Sequence, residues 1–510
     1  MDAASSLAHP SSTSAYPAQG ASSTALPEGL KFGTSGLRGL VTELVGLPSR
    51  AYAIGFVRHA LLLAPQTRQV LVGRDLRSSS PAISQDCRAA IQHAGLMAVD
   101  CGAVPTPALA LEAIRRGCPA IMVTGSHIPD DRNGLKFYLP QGEISKVDEM
   151  AIAAQVALLD DPALENLAQA EVIGDRQAAS INAAYIGRYV DVFGSRSLKG
   201  RRVAVYQHSS VARDLLVDLL RALGAEVEPV GRAARFIPVD TEAHEPELVA
   251  YIAEVALAGR FDAVVSTDGD ADRPLVADET GAILRGDVVG LLAAKLLGFQ
   301  TIVTPVTSGS VIERSGITAD VVRTRVGSPF VIAAMEAAAL SGKTGIIGFE
   351  ANGGTLLGSD GIWQGRALSR LPTRDAVLPI LAGLLLVAQS ARPLSAIVGD
   401  LPVGHAMADR LKDVASAQSQ DFLGRLSQDE AFAQTYFDPV GSIRSVDRLD
   451  GIRFDLKDGA VVHYRASGNA PELRCYVEAQ TKARASDLLA WGLEAARIQL
   501  DSKRHLPIQR

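Results

Sequence analysis

Three times between residues 69 and 349, a short β-branched run leads through an amphipathic stretch to a further apolar run that ends in a loop crowded with polar side chains. The first unit runs from Gln69–Val72 through a helix over 81–94, stopped by Gly95, to Ala120–Val123. The second runs from Arg202–Val205 through a helix ending at Gly224 to Ala263–Ser266. The third starts near Asp287, passes 301–304 and 321–325, and arrives at 345–349. Strands alternating with helix-length periods predict parallel sheets with crossover helices. Ligands gather beyond the carboxyl ends of such strands, so three equivalent loops predict three related domains facing one cleft. After about residue 400 the pattern turns strand-rich (442–445, 452–456, 460–464, 473–479) and ends in a helix over 486–500, the mark of a smaller α+β domain. The expected fold class is therefore α/β: three related α/β domains with mixed sheets plus a smaller C-terminal α+β domain around a central cleft. The expected divisions are a disordered tail over 1–28 and domains over 29–185, 186–286, 287–400 and 401–510.

Several function classes fall away. A formal net charge of -6 gives no long-range attraction for nucleic acid. Four dispersed cysteines, with no CxxC pair, argue against a disulfide framework or a zinc site and for a reducing cytoplasm. The Ser-, Ala- and Pro-rich start lacks the basic and apolar segments of a signal peptide. The longest apolar run, 376–388, is too short for a membrane span and contains Pro379 and Gly383, so it reads as a buried helix. No coiled-coil heptads are visible, which is compatible with a monomer.

The three loops carry specific chemistry. Asp268, Asp270 and Asp272 alternate in Asp-Gly-Asp-Ala-Asp-Arg, a cluster of carboxylates that a hard cation such as Mg²⁺ would stabilise. A calcium EF-hand is the obvious rival, but its sixth position needs Gly and here is Arg273, and both flanks read as strands. Ser126 follows its strand in Thr-Gly-Ser-His, without the G-x-S-x-G elbow of serine hydrolases. Its weight as a nucleophile comes from its neighbours: His127, and Lys136 brought back by a turn at Asn133-Gly134 to act as acid or base if the site lowers its pKa. Glu350 and Asn352, on a glycine-rich loop, offer the acceptors and donors that sugar hydroxyls need. Two further segments suit phosphate: Gly33-Thr-Ser-Gly-Leu-Arg38-Gly, and Arg465-Ala-Ser467-Gly468-Asn469-Ala-Pro-Glu-Leu-Arg474 between two apolar strands.

In order and wording these loops resemble the signatures of the α-D-phosphohexomutase family, which includes phosphomannomutases, phosphoglucomutases and phosphoglucosamine mutases. The resemblance covers nearly all of the chain from Lys31 onward. It implies a catalytic phosphoserine at Ser126, which also joins Asp268, Asp270 and Asp272 around Mg²⁺. Glu350 and Asn352 become the sugar loop, and Arg465, Ser467, Gly468, Asn469 and Arg474 the phosphate loop. Arg38, His127, Lys136 and Arg273 assist transfer. The family usually shows TASHNP and SGTEP; Gly125, Ile128, Asn469 and Ala470 depart from those patterns.

What the resemblance implies about mechanism is a transfer of the phosphoryl group from Ser126 to the sugar, giving a hexose 1,6-bisphosphate that turns round and returns its other phosphate. That bisphosphate also serves as activator. The whole looks most like bacterial phosphomannomutases, so mannose 6-phosphate and mannose 1-phosphate are the expected pair, with glucose phosphates second. The FEANGG wording is also similar to acetylglucosamine phosphomutases. A metal-dependent sugar phosphatase is the rival reading that would use the same aspartates.

Overall fold

A computed structural model describes residues 29–33, 36–167, 176–467 and 471–502. The expected tail over 1–28 lies outside the described residues.

The three units fold into three sheets with one common strand order. In the first, Gln69–Arg74 lies parallel between Met97–Ala103 and Ala120–Val123, and Arg132–Leu139 returns antiparallel to Ala120–Val123. The second repeats this order with Arg202–His208 between Glu226–Arg232 and Ala263–Thr267, then antiparallel Pro274–Asp278. In the third, Thr301–Pro305 lies between Asp320–Thr324 and Ile346–Phe349, with antiparallel Thr355–Leu357. Each polar loop thus occupies the same topological place, the hairpin where the last parallel strand meets its antiparallel return. The strand Pro274–Asp278 directly after the aspartates also disposes of the EF-hand.

One expectation is corrected. Asn133-Gly134 is not a turn; it lies inside the strand Arg132–Leu139, and the chain reverses earlier, between Val123 and Arg132. The sheet ladder, with Lys136 opposite Met122, delivers the lysine. The apolar alternation of the return strand is hidden in sequence by Arg132, Asn133 and Lys136.

Helices from all three units contribute to one apolar core. Arg213–Ala222 is helical because Leu215, Leu216, Leu219 and Leu220 recur at the helical period and are all buried. Leu216 belongs to the same buried cluster as Leu109, Tyr189, Leu292 and Leu381, so the three sheets are joined through a continuous interior. The run 376–388 is a buried helix, Val377–Ser390, as expected. Among the described residues no helix is long and apolar enough to cross a membrane.

The C-terminal region is an antiparallel sheet in the order His405–Lys412, Glu472–Ala479, Val461–Ala466, Ile452–Leu456, Ile443–Asp447. The helices Ser416–Gln428, Glu430–Phe437 and Lys482–Ser502 accompany it, and Phe437, Phe454 and Tyr464 build a separate core.

Candidate active site

The hairpin loops of the first two sheets meet at Ser126. Its backbone is held at φ 56°, a left-handed conformation uncommon for a residue with a side chain. Two buried residues impose it. The Ser126 amide donates to Thr124 Oγ1 at 2.8 Å, and Thr124 in turn donates to Asp75. Arg77 donates to the carbonyls of Ser126, Ile128, Pro129 and Arg132 and so ties the whole loop down. Its guanidinium also explains a departure: a Cβ on Gly125 would lie 2.7 Å from Arg77 Cζ, so the alanine usual at this place does not fit.

So held, Ser126 Oγ donates to Asp268 Oδ2 at 2.5 Å and lies 3.3 Å from His127 Nδ1. Asp268, Asp270 and Asp272 are fully buried, and their ligand atoms lie within 4.8 Å of one another. Each carboxylate divides its oxygens in the same way. Asp268 Oδ1 accepts from the amides of Asp272 and Arg273, leaving Oδ2 to Ser126. Asp270 Oδ2 accepts from Thr106 and Lys136, while its Oδ1 has no hydrogen-bond partner. Asp272 Oδ2 accepts from Lys136 and Arg374, and its Oδ1 is likewise without a donor. Buried acceptors without donors are costly. Two such oxygens beside Asp268 and Ser126 form the oxygen-rich set a hard divalent cation takes, so the residues fit Mg²⁺.

The electrostatics follow from this crowding. Burial, then the neighbouring Asp270 and Asp272, hold the Asp268 carboxyl well above the usual range. Burial opposes ionisation of Asp272 too, but Arg374, Lys136 and Arg273 outweigh it and hold that group low. The lowering that would let Lys136 act as acid or base is not met in this arrangement: burial does push its ammonium down, yet Asp270 and Asp272 prevail and raise it. Lys136 is a cation in this arrangement rather than a poised base. His127 is driven far below its ordinary value by burial and by Arg273, whose guanidinium donates to Nδ1 at 2.9 Å. Arg38 is lowered to about 10 by burial, then by Arg273 and Arg374.

Above this cluster opens a cleft of about 430 Å³. Arg38, His127 and Arg273 line its floor. Glu350 and Asn352 of the third hairpin line one wall, and Arg465, Ser467 and Arg474 of the C-terminal sheet line the opposite side. Of the expected site residues that are described, Arg38, His127, Arg273, Glu350, Asn352, Arg465, Ser467 and Arg474 line the cleft, while Ser126, Lys136 and the three aspartates are buried beside it, joined to its lining through His127, Arg273 and Arg374. Gly468, Asn469 and Ala470 lie outside the described residues.

Sequence reading missed four contributors. Arg410 stands directly across from Arg474, which stands across from Arg465, so three guanidiniums form a row over adjacent strands, all lining the cleft. Asp450, 2.9 Å from Arg465, and Glu472, 3.4 Å from Arg410, offset the row's repulsion. Glu242 lines the same cleft. Arg77 follows the strand Gln69–Arg74, and its place just past a strand's carboxyl end was the available signal. The last, Arg374, carried no signal short of knowing the sheet order.

This layout is shared with known proteins. Models of the phosphoglucomutase/phosphomannomutase family match the chain throughout: alpha/beta/alpha domain I over 29–162, domain II over 183–281, domain III over 278–403 and the C-terminal domain over 407–490. A phosphomannomutase of Sinorhizobium fredii is 48% identical over 469 residues, covering 91% of this chain and 98% of that one. A phosphomannomutase of Salmonella muenchen is 42% identical over 90% of this chain and 94% of its own. The crystal structure of a phosphoglucomutase/phosphomannomutase family protein from Burkholderia thailandensis superposes with a TM-score of 0.69, covering 92% of this chain and 97% of that one. At 21% identity it speaks for the fold alone. With four domain models in order, full-length relatives and a buried serine set against three aspartates, the chain belongs to the phosphoglucomutase/phosphomannomutase family, enzymes that move a phosphoryl group within a hexose phosphate.

Proposed function

We propose that this protein is a phosphomannomutase that interconverts mannose 6-phosphate and mannose 1-phosphate, with glucose phosphates as second substrates. The observation that carries the reading is the 2.5 Å contact between Ser126 Oγ and Asp268, buried next to His127 and Arg273 of a cleft that Arg410, Arg465 and Arg474 also line. A nucleophile at one end and a phosphate clamp at the other suit a substrate with phosphate at either end. The mannose assignment rests on the two phosphomannomutases at 48% and 42% identity. A sugar phosphatase would need no arginine row opposite its nucleophile, so that reading is less well supported.

In this mechanism Ser126 carries the phosphoryl group and passes it to a sugar hydroxyl. Asp268, Asp270 and Asp272, with the Ser126 oxygen, would hold Mg²⁺, which supplies Lewis-acid stabilisation of the transferring oxygens. Arg38 and Arg273 face the same space and offset charge on the phosphoryl group. His127, kept neutral, accepts from Arg273 and holds that guanidinium beside Ser126, and Lys136 neutralises Asp270 and Asp272. Glu350 and Asn352 bind sugar hydroxyls, and Arg465, Ser467, Gly468, Asn469 and Arg474 hold the phosphate that is not reacting. Hexose 1,6-bisphosphate is the intermediate and primes Ser126 as activator. The working units are 29–185, 186–286, 287–400 and 401–510, each built around one main sheet. A monomer suits the complete site in one chain, and four buried free cysteines suit the cytoplasm.

Two measurements test this. Intact mass of freshly purified protein is expected to show one added phosphoryl group on the peptide containing Ser126. Ser126→Ala is expected to abolish turnover on mannose 1-phosphate while leaving the melting temperature unchanged; retained activity would overturn the assignment.

A further inference from the structure

Arg374 is the fully buried arginine that joins two of the three hairpin loops. Its Nε and Nη2 donate to Asp272 Oδ2 at 3.0 and 2.8 Å, and its Nη1 reaches Glu350 Oε2 at 3.1 Å. One planar fork thus fixes one oxygen of a metal-loop carboxylate and one of a sugar-loop carboxylate. In each case the other oxygen is left for a ligand.

The backbone that carries the arm is anchored, so only the side chain can adjust between its two partners. It springs from the strand Leu371–Asp375, whose neighbouring positions are both anchored. Asp375 accepts from Tyr185 and Tyr189 of the helix Arg176–Phe193, and Thr373 donates to Glu143 at 3.0 Å. The sugar loop has a glycine where the arm crosses it. A Cβ on Gly354 would lie 2.8 Å from Arg374 Cδ and 2.9 Å from the Asp272 carbonyl oxygen, so a side chain there would press on both. The sugar loop, the metal loop and the arginine are therefore packed directly against one another.

We propose that Arg374 is a positioning residue that couples the two loops, so that hexose phosphate bound at Glu350 and a divalent cation bound at Asp268, Asp270 and Asp272 each tighten the other. The physical basis is the shared fork. A sugar that orders Glu350 orders the guanidinium, which holds Asp272 with its second oxygen toward the cation. By linkage the effect runs equally in reverse. A lysine could neutralise either carboxylate but cannot span both in fixed geometry.

The inference rests on the functional reading above, and the experiment separates the two. Mg²⁺ binding is measured by calorimetry on Ser126→Ala protein, which cannot turn over, with and without mannose 1-phosphate. The sugar phosphate is expected to tighten Mg²⁺ roughly 5-fold or more. In Arg374→Lys and in Gly354→Ala, each checked for folding by circular dichroism, that enhancement is expected to vanish. Coupling that survives in either folded variant, or none in the parent, overturns the proposal. Should the lysine variant not fold, the glycine variant decides. Mutase activity of the wild-type enzyme is assayed in parallel: an inactive wild type overturns the functional reading, whereas an active one with coupling intact in the variants overturns only the role of Arg374.

Discussion

The three hairpin sheets and the C-terminal sheet are attached to their surroundings in different ways. The first three share one apolar interior, in which Leu109, Tyr189, Leu216, Leu292 and Leu381 belong to a single cluster. The C-terminal sheet keeps its own core around Phe437, Phe454 and Tyr464. It reaches the third sheet's region through polar contacts: Glu478 to Ser310 and Arg314, Asp450 to the Val326 amide, and Arg453 to the Val306 carbonyl. Apolar burial fixes relative position, whereas polar contacts exchange with water at little net cost. The nucleophile, metal loop and sugar loop thus sit on a body joined by apolar burial, and the arginine row on one joined to it by the polar contacts named, a division that predicts a fixed body and a clamp able to swing. A reaction whose intermediate must turn round without escaping needs that division.

The division predicts different kinetic failures on its two sides. The largest effect belongs to the fixed body. Asp270→Asn removes a ligand charge and a Lys136 partner, and is expected to lower kcat by about 10³-fold or more with KM little changed. A KM effect alone would place the aspartates outside the chemical step. On the swinging side, Arg474→Ala is expected to lower kcat/KM by about 10²-fold, mainly through KM, because it removes charge-assisted bonds to the non-reacting phosphate. Arg410→Ala should do the same more weakly, being one strand farther from Arg465. Steady-state kinetics on mannose 1-phosphate, with glucose 1,6-bisphosphate present, reads all three.

The fixed body was also the more legible half in sequence, for a physical reason. Its buried parallel strands are continuous apolar runs, and Ala120–Val123 and Ile346–Phe349 stand out at once, each followed by its loop. The threefold order could be read because the period is set by burial. The antiparallel return Arg132–Leu139 could not, since site residues occupy it and break the apolar alternation. The edge strand His405–Lys412 was lost for the opposite reason. It is largely exposed and polar, and Arg410 with it. Arg374 shows the remaining limit: its role depends on which strand lies beside which, and no local pattern encodes that.

Stability should divide along the same line. Leu292 lies in the shared interior and Phe454 in the C-terminal core, both fully buried. Leu292→Ala should cost about 2–5 kcal/mol and Phe454→Ala about 3–5 kcal/mol. Scanning calorimetry is expected to resolve two transitions, Leu292→Ala lowering one and Phe454→Ala the other. A single transition lowered equally by both would mean that the polar contacts bind the C-terminal sheet as tightly as a core.

The smallest effect, and the finest probe of the division, is a pH dependence carried by two matched histidines. His208 lies in the second sheet and His463 in the C-terminal sheet; both are buried and both are held down to about 4, chiefly by desolvation. Their Nε2 atoms face backbone carbonyls, Thr267 at 2.8 Å and Asp450 at 2.7 Å, so each ring is neutral and donates. Because the folded value lies below the ordinary value near 6.5, the unfolded chain takes up the proton first as pH falls. Each histidine's contribution is therefore whole above about pH 6.5 and is lost between there and about pH 4, amounting to roughly 2 kcal/mol by pH 5. His463→Gln keeps a donor for the Asp450 carbonyl but cannot titrate. It is expected to flatten the fall of the C-terminal transition between pH 7 and 5 and leave the other transition's fall unchanged. If both transitions flatten together, the two cores unfold as one, and the swinging clamp must give way to a rigid one.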